Sequence, residues 1–108
     1  MLYKNITPAQ LTEMLDTKPA PFLLDVREPF ELAAFGAIPG VINIPMQEIP
    51  QRLDDLPSDR SERIVVICQS GSRSAEIAAF LARKGYTHLF NLQGGTYAWL
   101  NGKGPTQQ

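Results

Sequence analysis

Cys68 is the residue of this 108-residue chain best suited to nucleophilic chemistry, and it is the only cysteine. It follows the apolar run 64–67 and precedes a helical pattern that begins at about residues 73–76. Helix N-termini and nearby cations favour the thiolate, which is the reactive form of cysteine. The position therefore predicts a reactive thiol. A buried, inert cysteine is the alternative interpretation, because free cysteines are often buried.

The loop after Cys68 is predicted to bind an anion. Its glycine and small polar residues let the backbone curl so that successive N–H groups point at one centre, and the helix dipole adds partial positive charge there. Arg73 either contributes charge directly or holds the loop by hydrogen bonding its carbonyls. The predicted anion-binding loop consists of Gln69, Ser70, Gly71, Ser72, Arg73 and Ser74.

Short apolar runs and helical patterns alternate along the chain. Strands are predicted at 22–25, 41–44, 64–67 and 89–92, and helices at 7–15, 28–34, 46–56, 75–84 and from 95 to about 100. Thr7 and Gln10 are expected to form a capping box at the first helix. The alternation predicts an α/β fold with a mostly parallel sheet covered on both faces. Sites in such sheets form beyond the carboxyl ends of the strands, where Asp25 and Cys68 lie.

Composition excludes several other classes of protein. The length fits a single domain over residues 1–108, with a flexible tail expected from about residue 103. A net charge of −1 without runs of like charge gives no sign of nucleic-acid binding. A membrane span, a signal peptide, a metal site and a nucleotide-cofactor motif are all unexpected. We expect a cytoplasmic protein, since a reducing compartment keeps a free thiol available.

The spacing between Cys68 and Arg73 helps to select the chemistry. Cysteine-dependent phosphatases place five residues between the cysteine and the arginine. Here four residues lie between Cys68 and Arg73, and the residue that follows five intervening positions is Ser74. The smaller loop fits an anion that carries a transferable sulfur better than a phosphate ester. An arsenate reductase would usually need a resolving thiol, and the chain has no second cysteine.

Three further segments accompany the loop. They are 24–31 (Leu-Asp-Val-Arg-Glu-Pro-Phe-Glu), 36–45 (Gly-Ala-Ile-Pro-Gly-Val-Ile-Asn-Ile-Pro) and 94–99 (Gly-Gly-Thr-Tyr-Ala-Trp). With the loop, and in this order, they resemble the signatures of the single-domain rhodaneses, a family of sulfurtransferases. The resemblance extends from about Ile6 to Gly104. It implies a rhodanese-like α/β fold, with a central, mainly parallel five-stranded sheet flanked by helices on both faces.

The resemblance also implies an activity without a cofactor. Cys68 would attack the sulfane sulfur of a donor such as thiosulfate or a persulfide and carry it as a persulfide. Cyanide, a thiol or a sulfur-relay protein would then accept it, which is ping-pong covalent catalysis. Asp25 and Arg27 are expected to brace the loop, with direct substrate contact as the alternative. A non-catalytic regulatory or docking module is the alternative function.

The chain departs from the family pattern at three positions. Ala37 replaces a frequent histidine that is usually considered structural. Ser70 stands where members that prefer thiosulfate often carry a basic residue, and Glu31 stands where larger two-domain enzymes place an arginine. A site with fewer cations makes a protein persulfide or a small persulfide a plausible donor in place of thiosulfate.

Aromatic side chains near these segments leave two interpretations open. Phe30 and Phe35 are expected either in the core or in an apolar rim of the site. Tyr97 and Trp99 are expected to pack under the loop, with lining of a pocket as the alternative. His88, the only histidine, begins the last predicted strand at the end away from Cys68, and we expect a structural or surface role.

Overall fold

A computed structural model of the chain describes residues 2–102, and the expected flexible tail from about residue 103 lies outside them. The strands are β1 (Lys4–Ile6), β2 (Phe22–Asp25), β3 (Ile42–Asn43), β4 (Ile64–Ile67) and β5 (Leu89–Leu92). The helices are α1 (Pro8–Leu15), α2 (Pro29–Phe35), α3 (Ser72–Arg83) and α4 (Gly95–Gly102). Two 3₁₀ helices, Met46–Gln51 and Leu53–Asp55, lie between β3 and β4.

The five strands form one sheet in the order β1-β5-β4-β2-β3, and every pairing is parallel. The predicted α/β class and the five-stranded parallel sheet are therefore confirmed. All four residues of β4 are buried, as expected for a central strand with both faces covered. β4 pairs with β2 so that Asp25 lies beside Ile67, one residue before Cys68. The two predicted site positions therefore share the carboxyl edge of the sheet.

Two apolar clusters cover the faces of the sheet. On one face Leu24 and Val66 pack with Ile77 and Leu81 of α3. On the other face Leu11 of α1 and Trp99 of α4 pack with a second set from the strands, Leu23, Val65, Ile67 and Leu92. This division follows from the strand period of two, which sends neighbouring side chains to opposite faces.

The capping box at α1 is confirmed. The N–H of Gln10 donates to Thr7 Oγ1 at 3.1 Å, and the N–H of Thr7 donates to Gln10 Oε1 at 2.8 Å. Each bond satisfies a donor that the helix itself leaves free. Pro8 occupies the first turn, where its missing N–H costs nothing.

Two elements differ from the prediction. The expected helix at 46–56 is two short 3₁₀ helices, and the first contains Pro50. Proline lacks an N–H and clashes with the preceding turn, so an α-helix cannot continue through that position. β1 was not predicted, because Lys4-Asn5-Ile6 contains no apolar run. It is a strand because it pairs with β5 along the edge of the sheet.

Helix α2 exposes apolar side chains and buries a charged one, which is the reverse of an ordinary surface helix. Phe30 is 66% exposed and Phe35 is 54% exposed, whereas Glu31 is buried. These two phenylalanines therefore lie outside the core. Tyr97 is also exposed, so its expected core packing is wrong, while Trp99 is buried as predicted. His88 is exposed and directly precedes β5.

Among residues 2–102, none of the helices is long and apolar enough to cross a membrane. The same residues contain no group of three His, Cys, Asp or Glu side chains that could hold a metal ion.

Gly95 allows α4 to start directly against the chain that follows β4. The N–H of Thr96 donates to the carbonyl of Cys68 at 2.9 Å, and the N–H of Tyr97 donates to that of Gln69 at 3.0 Å. A Cβ on Gly95 would lie 2.5 Å from the Cys68 carbonyl oxygen and 2.6 Å from the Gln69 carbonyl carbon. The backbone at Gly95 also has a φ of +61°, which glycine adopts without strain. The start of α4 therefore holds the loop in place.

We expect Gly95→Ala to destabilise the protein by about 2–4 kcal/mol, because the clash is with backbone and adds to the strained φ. Gly102→Ala is the matched control, since among residues 2–102 no atom outside its own stretch of helix lies within 4 Å of the added Cβ. Urea unfolding monitored by tryptophan fluorescence measures both variants. Equal unfolding midpoints for the two would contradict the role assigned to Gly95.

Candidate active site

Cys68 is the first residue after β4 and is fully buried. Gly71, with a left-handed φ of +110°, turns the chain from the loop into α3. A side chain there would be strained, and its Cβ would lie 3.3 Å from the backbone nitrogen of Gly94. The loop is thus confined between α3 and the Gly94-Gly95 turn.

Hydrogen-bond donors surround the Cys68 sulfur. The N–H of Gly71 donates to Sγ at 3.0 Å, and the Ser74 hydroxyl lies 3.3 Å from Sγ. Burial raises the pKa of the Cys68 thiol. Hydrogen bonds from the Ser74 hydroxyl and from N–H groups of the loop outweigh burial, so that the pKa lies below its ordinary value. The arrangement favours a thiolate, the species that can act as a nucleophile.

The side chain of Arg73 hydrogen bonds a carboxylate and not the carbonyls of the loop. Its Nη1 and Nη2 atoms donate to the two carboxylate oxygens of Glu31, both at 2.9 Å. The hydrogen bond to Glu31 raises the pKa of Arg73, and the bond from Arg73 lowers the pKa of Glu31. The bidentate pair keeps both groups charged and cancels much of the field that Arg73 would otherwise direct at an anion.

Asp25 and Arg27 form a fully buried ion pair. The guanidinium Nη2 lies 2.7 Å from Asp25 Oδ2 and also donates to the carbonyl of Gly36 at 3.0 Å. Its Nη1 donates to Gln69 Oε1 at 2.8 Å. The amide of Asn43 donates to the carbonyls of Asp25 and Arg27 and fixes the end of β2. The ion pair therefore contacts the loop through the side chain of Gln69, the residue next to Cys68.

The structure brings the predicted site residues together with different roles for their side chains. Ser74 contacts the sulfur, and the side chain of Gln69 contacts Arg27. Ser70 and Ser72 have exposed side chains. Any hydrogen bond from these residues to an anion near the sulfur therefore comes from their N–H groups.

Sequence reasoning missed Asn91, which lies behind the site. It is buried on β5, and its Oδ1 atom accepts a hydrogen bond from the Ser74 hydroxyl at 2.5 Å. The available signal was a polar residue within the apolar strand Leu89-Phe90-Asn91-Leu92. A buried amide requires hydrogen-bond partners, so this residue indicated a polar network.

Comparisons with known proteins agree with this geometry. The family model of the Rhodanese-like domain matches residues 7–102. A sulfurtransferase of Allochromatium vinosum is 37% identical over 98 residues, which cover 91% of this chain and 89% of that protein. The putative sulfurtransferase YtwF of Bacillus subtilis is 36% identical over 99 residues, 92% of each chain. The crystal structure of a rhodanese-related protein from Thermoplasma volcanium has a TM-score of 0.78 and 39% identity, and covers 91% of each chain. The chain therefore belongs to the rhodanese-like family of sulfurtransferases.

Proposed function

We propose that this protein transfers a sulfane sulfur through a persulfide on Cys68. The observation that carries the proposal is the buried sulfur that accepts the Gly71 N–H and lies beside the Ser74 hydroxyl. Stabilising a negative sulfur by fixed donors is what an attacking thiolate and a bound persulfide both require. The relatives that carry the name sulfurtransferase support the same chemistry.

The reaction divides into two displacements at sulfur. The Cys68 thiolate attacks the outer sulfur of the donor, and the donor S–S bond breaks with its electron pair on sulfite or on a thiolate. The acceptor, cyanide or a thiol, then attacks the outer sulfur of the persulfide, and the Cys68 thiolate leaves. Because Cys68 is the only cysteine, the sulfur has to pass to another molecule. Cytoplasm is the proposed compartment, since it keeps the thiol reduced.

The residues of the loop have separate proposed roles. N–H groups from Gln69 to Ser74 stabilise the anionic sulfur during both displacements. Asp25 and Arg27 position the loop through the Gln69 side chain and do not contact substrate.

A persulfide is the donor that the charges favour. Glu31 neutralises Arg73, and Asp25 neutralises Arg27. Thiosulfate carries two negative charges and would gain little from these paired guanidinium groups. The reacting group of a persulfide carries at most one negative charge, and the N–H groups of the loop suffice for it.

Mass spectrometry tests the transfer. After incubation with thiosulfate or glutathione persulfide, we expect the wild-type protein to gain the mass of one sulfur atom on Cys68 and to lose it on addition of cyanide. Cys68→Ala should neither gain the mass nor form thiocyanate. A wild-type protein that gains no mass from any sulfane donor would refute the proposal, and would favour a docking module. Hydrolysis of a phosphate ester that Cys68→Ser abolishes would favour a phosphatase.

The pH dependence of loading tests the thiolate. Because the pKa of Cys68 is lowered, loading should persist below the pH at which an ordinary thiol becomes protonated, and should fall only as pH drops through the lowered value. Ser74→Ala removes a hydrogen bond to the thiolate, so the profile should move to higher pH. Loading at neutral pH should then slow by roughly tenfold, the factor that about 1.4 kcal/mol produces. Ser58→Ala, in an exposed loop, is the control, and equal profiles for both variants would count against a role for Ser74.

Donor preference is tested by neutralising Glu31. Glu31→Gln keeps an acceptor for the N–H of Glu28, which Glu31 binds at 2.9 Å, but releases the charge of Arg73. We expect KM for thiosulfate to fall roughly threefold to tenfold, corresponding to about 1 kcal/mol of partly screened attraction. KM for glutathione persulfide should change less. Glu76→Gln removes an exposed carboxylate on α3 and is the control. The donor assignment fails if both variants change KM for thiosulfate equally.

A further inference from the structure

Asn91 occupies a position in the sheet where an apolar residue would be expected. Across the sheet, Asn5, Asn91, Val66 and Leu24 lie in one row of paired residues. Val66 and Leu24 belong to the apolar cluster that packs against α3. Asparagine is unfavourable in strands, and burying its amide is costly unless its atoms are hydrogen-bonded. The residue therefore needs a reason to be there.

A continuous line of hydrogen bonds, the relay, runs through Asn91 from the sulfur to the surface. The Ser74 hydroxyl lies 3.3 Å from Cys68 Sγ and 2.5 Å from Asn91 Oδ1. The Nδ2 atom of Asn91 donates to Asn5 Oδ1 at 2.9 Å. Asn5 is exposed and lies on β1, the edge strand. Three side chains thus connect a buried nucleophile to solvent.

The number of protons available in this line determines which group donates in each hydrogen bond. A serine hydroxyl has one proton to donate, and here it has two acceptors. When Cys68 is a thiol, its S–H can donate to Ser74 and the hydroxyl can donate to Asn91. When the sulfur is negative, it needs the hydroxyl proton itself. Asn91 must then turn its amide by half a rotation and donate Nδ2 to the Ser74 oxygen, and Asn5 must turn likewise.

We propose that Asn91 is a positioning residue that directs the Ser74 hydroxyl toward the Cys68 sulfur, and that Asn5 sets the orientation of the Asn91 amide from the protein surface. The importance of this relay for turnover rests on the proposed sulfur transfer. Its effect on the ionisation of Cys68 does not, because that ionisation is measurable without any sulfur donor.

The other charged groups near the sulfur are the same in all the variants used below. The end of β2 contributes Asp25 and Arg27, which are paired with each other, and α2 contributes Glu31, which is paired with Arg73 of α3. Glu28 precedes α2, and its carboxylate binds the side chain of Gln47. β4, β5 and α4 contain no charged residue.

Substitution of Asn5 tests the relay at a distance from the sulfur. Asn5→Asp can only accept, so it holds Asn91 Nδ2 toward β1 and leaves Oδ1 to draw the Ser74 proton away from sulfur. We expect the pH profile of Cys68 alkylation by iodoacetamide to move to higher pH, with a severalfold slower reaction at neutral pH. Lys4→Gln is the matched control, because it changes the net charge by the same amount on an adjacent exposed residue whose side chain faces the other side of the strand.

Two backgrounds separate the relay from a simple charge effect. In Ser74→Ala and in Asn91→Leu the line is interrupted, so Asn5→Asp should no longer move the profile. Thermal unfolding confirms that each variant is folded, and Asn91→Leu places an apolar residue in an apolar row. The proposal is overturned if Asn5→Asp and Lys4→Gln have equal effects, if neither moves the profile, or if the shift persists in both backgrounds. Failure of sulfur loading with an intact shift would refute only the proposed function.

Discussion

The buried ion pair of Asp25 and Arg27 is the interaction on which the site depends. A guanidinium has five N–H donors and cannot lose its charge, so burying it requires acceptors on several sides. Arg27 finds them on Asp25, on the carbonyl of Gly36 and on the side chain of Gln69. One side chain thereby joins the end of β2, the turn after α2 and the loop beside Cys68. Removing either partner of a buried pair leaves an uncompensated charge, which typically costs about 3–5 kcal/mol.

This requirement determines how charge is distributed around the sulfur. Both arginines near the loop are already matched by carboxylates, Arg27 by Asp25 and Arg73 by Glu31. The groups that contact the Cys68 sulfur are therefore neutral dipoles, the N–H of Gly71 and the Ser74 hydroxyl. Dipoles fixed by the fold need no reorganisation when charge develops on sulfur. In the proposed reaction, a site of this kind would hold a singly charged persulfide group without attracting every small anion.

Much of this arrangement could be predicted from the sequence, because it depends on local patterns. Local structure is indicated directly by the apolar run 64–67, by the capping residues Thr7 and Gln10, and by the glycine within the loop. β1 could not be predicted, since Lys4-Asn5-Ile6 becomes a strand only through pairing with β5. The partner of Arg73 could not be predicted either, because Glu31 lies 42 positions away and on another helix.

Burial of individual side chains was predictable only in part. Tyr97 and Trp99 are two positions apart on α4, and helical geometry places them on different faces. Only contact with the sheet decides which face is inside, and it buries Trp99. Asn91 is a similar case, since its strand pattern gives the polar residue but not the serine and the asparagine that it binds.

The order of strands has a consequence for how the chain reaches its native state. β1, at the beginning of the chain, pairs with β5, which ends at Leu92. During synthesis β1 has no partner until β5, the last of the described strands along the chain, has been made. Pairings between such distant segments also form slowly, because a long loop must close before they are stabilised. Asn5 and Asn91 therefore meet late, and a nascent chain contains Cys68 before β5 and β1 have joined the sheet.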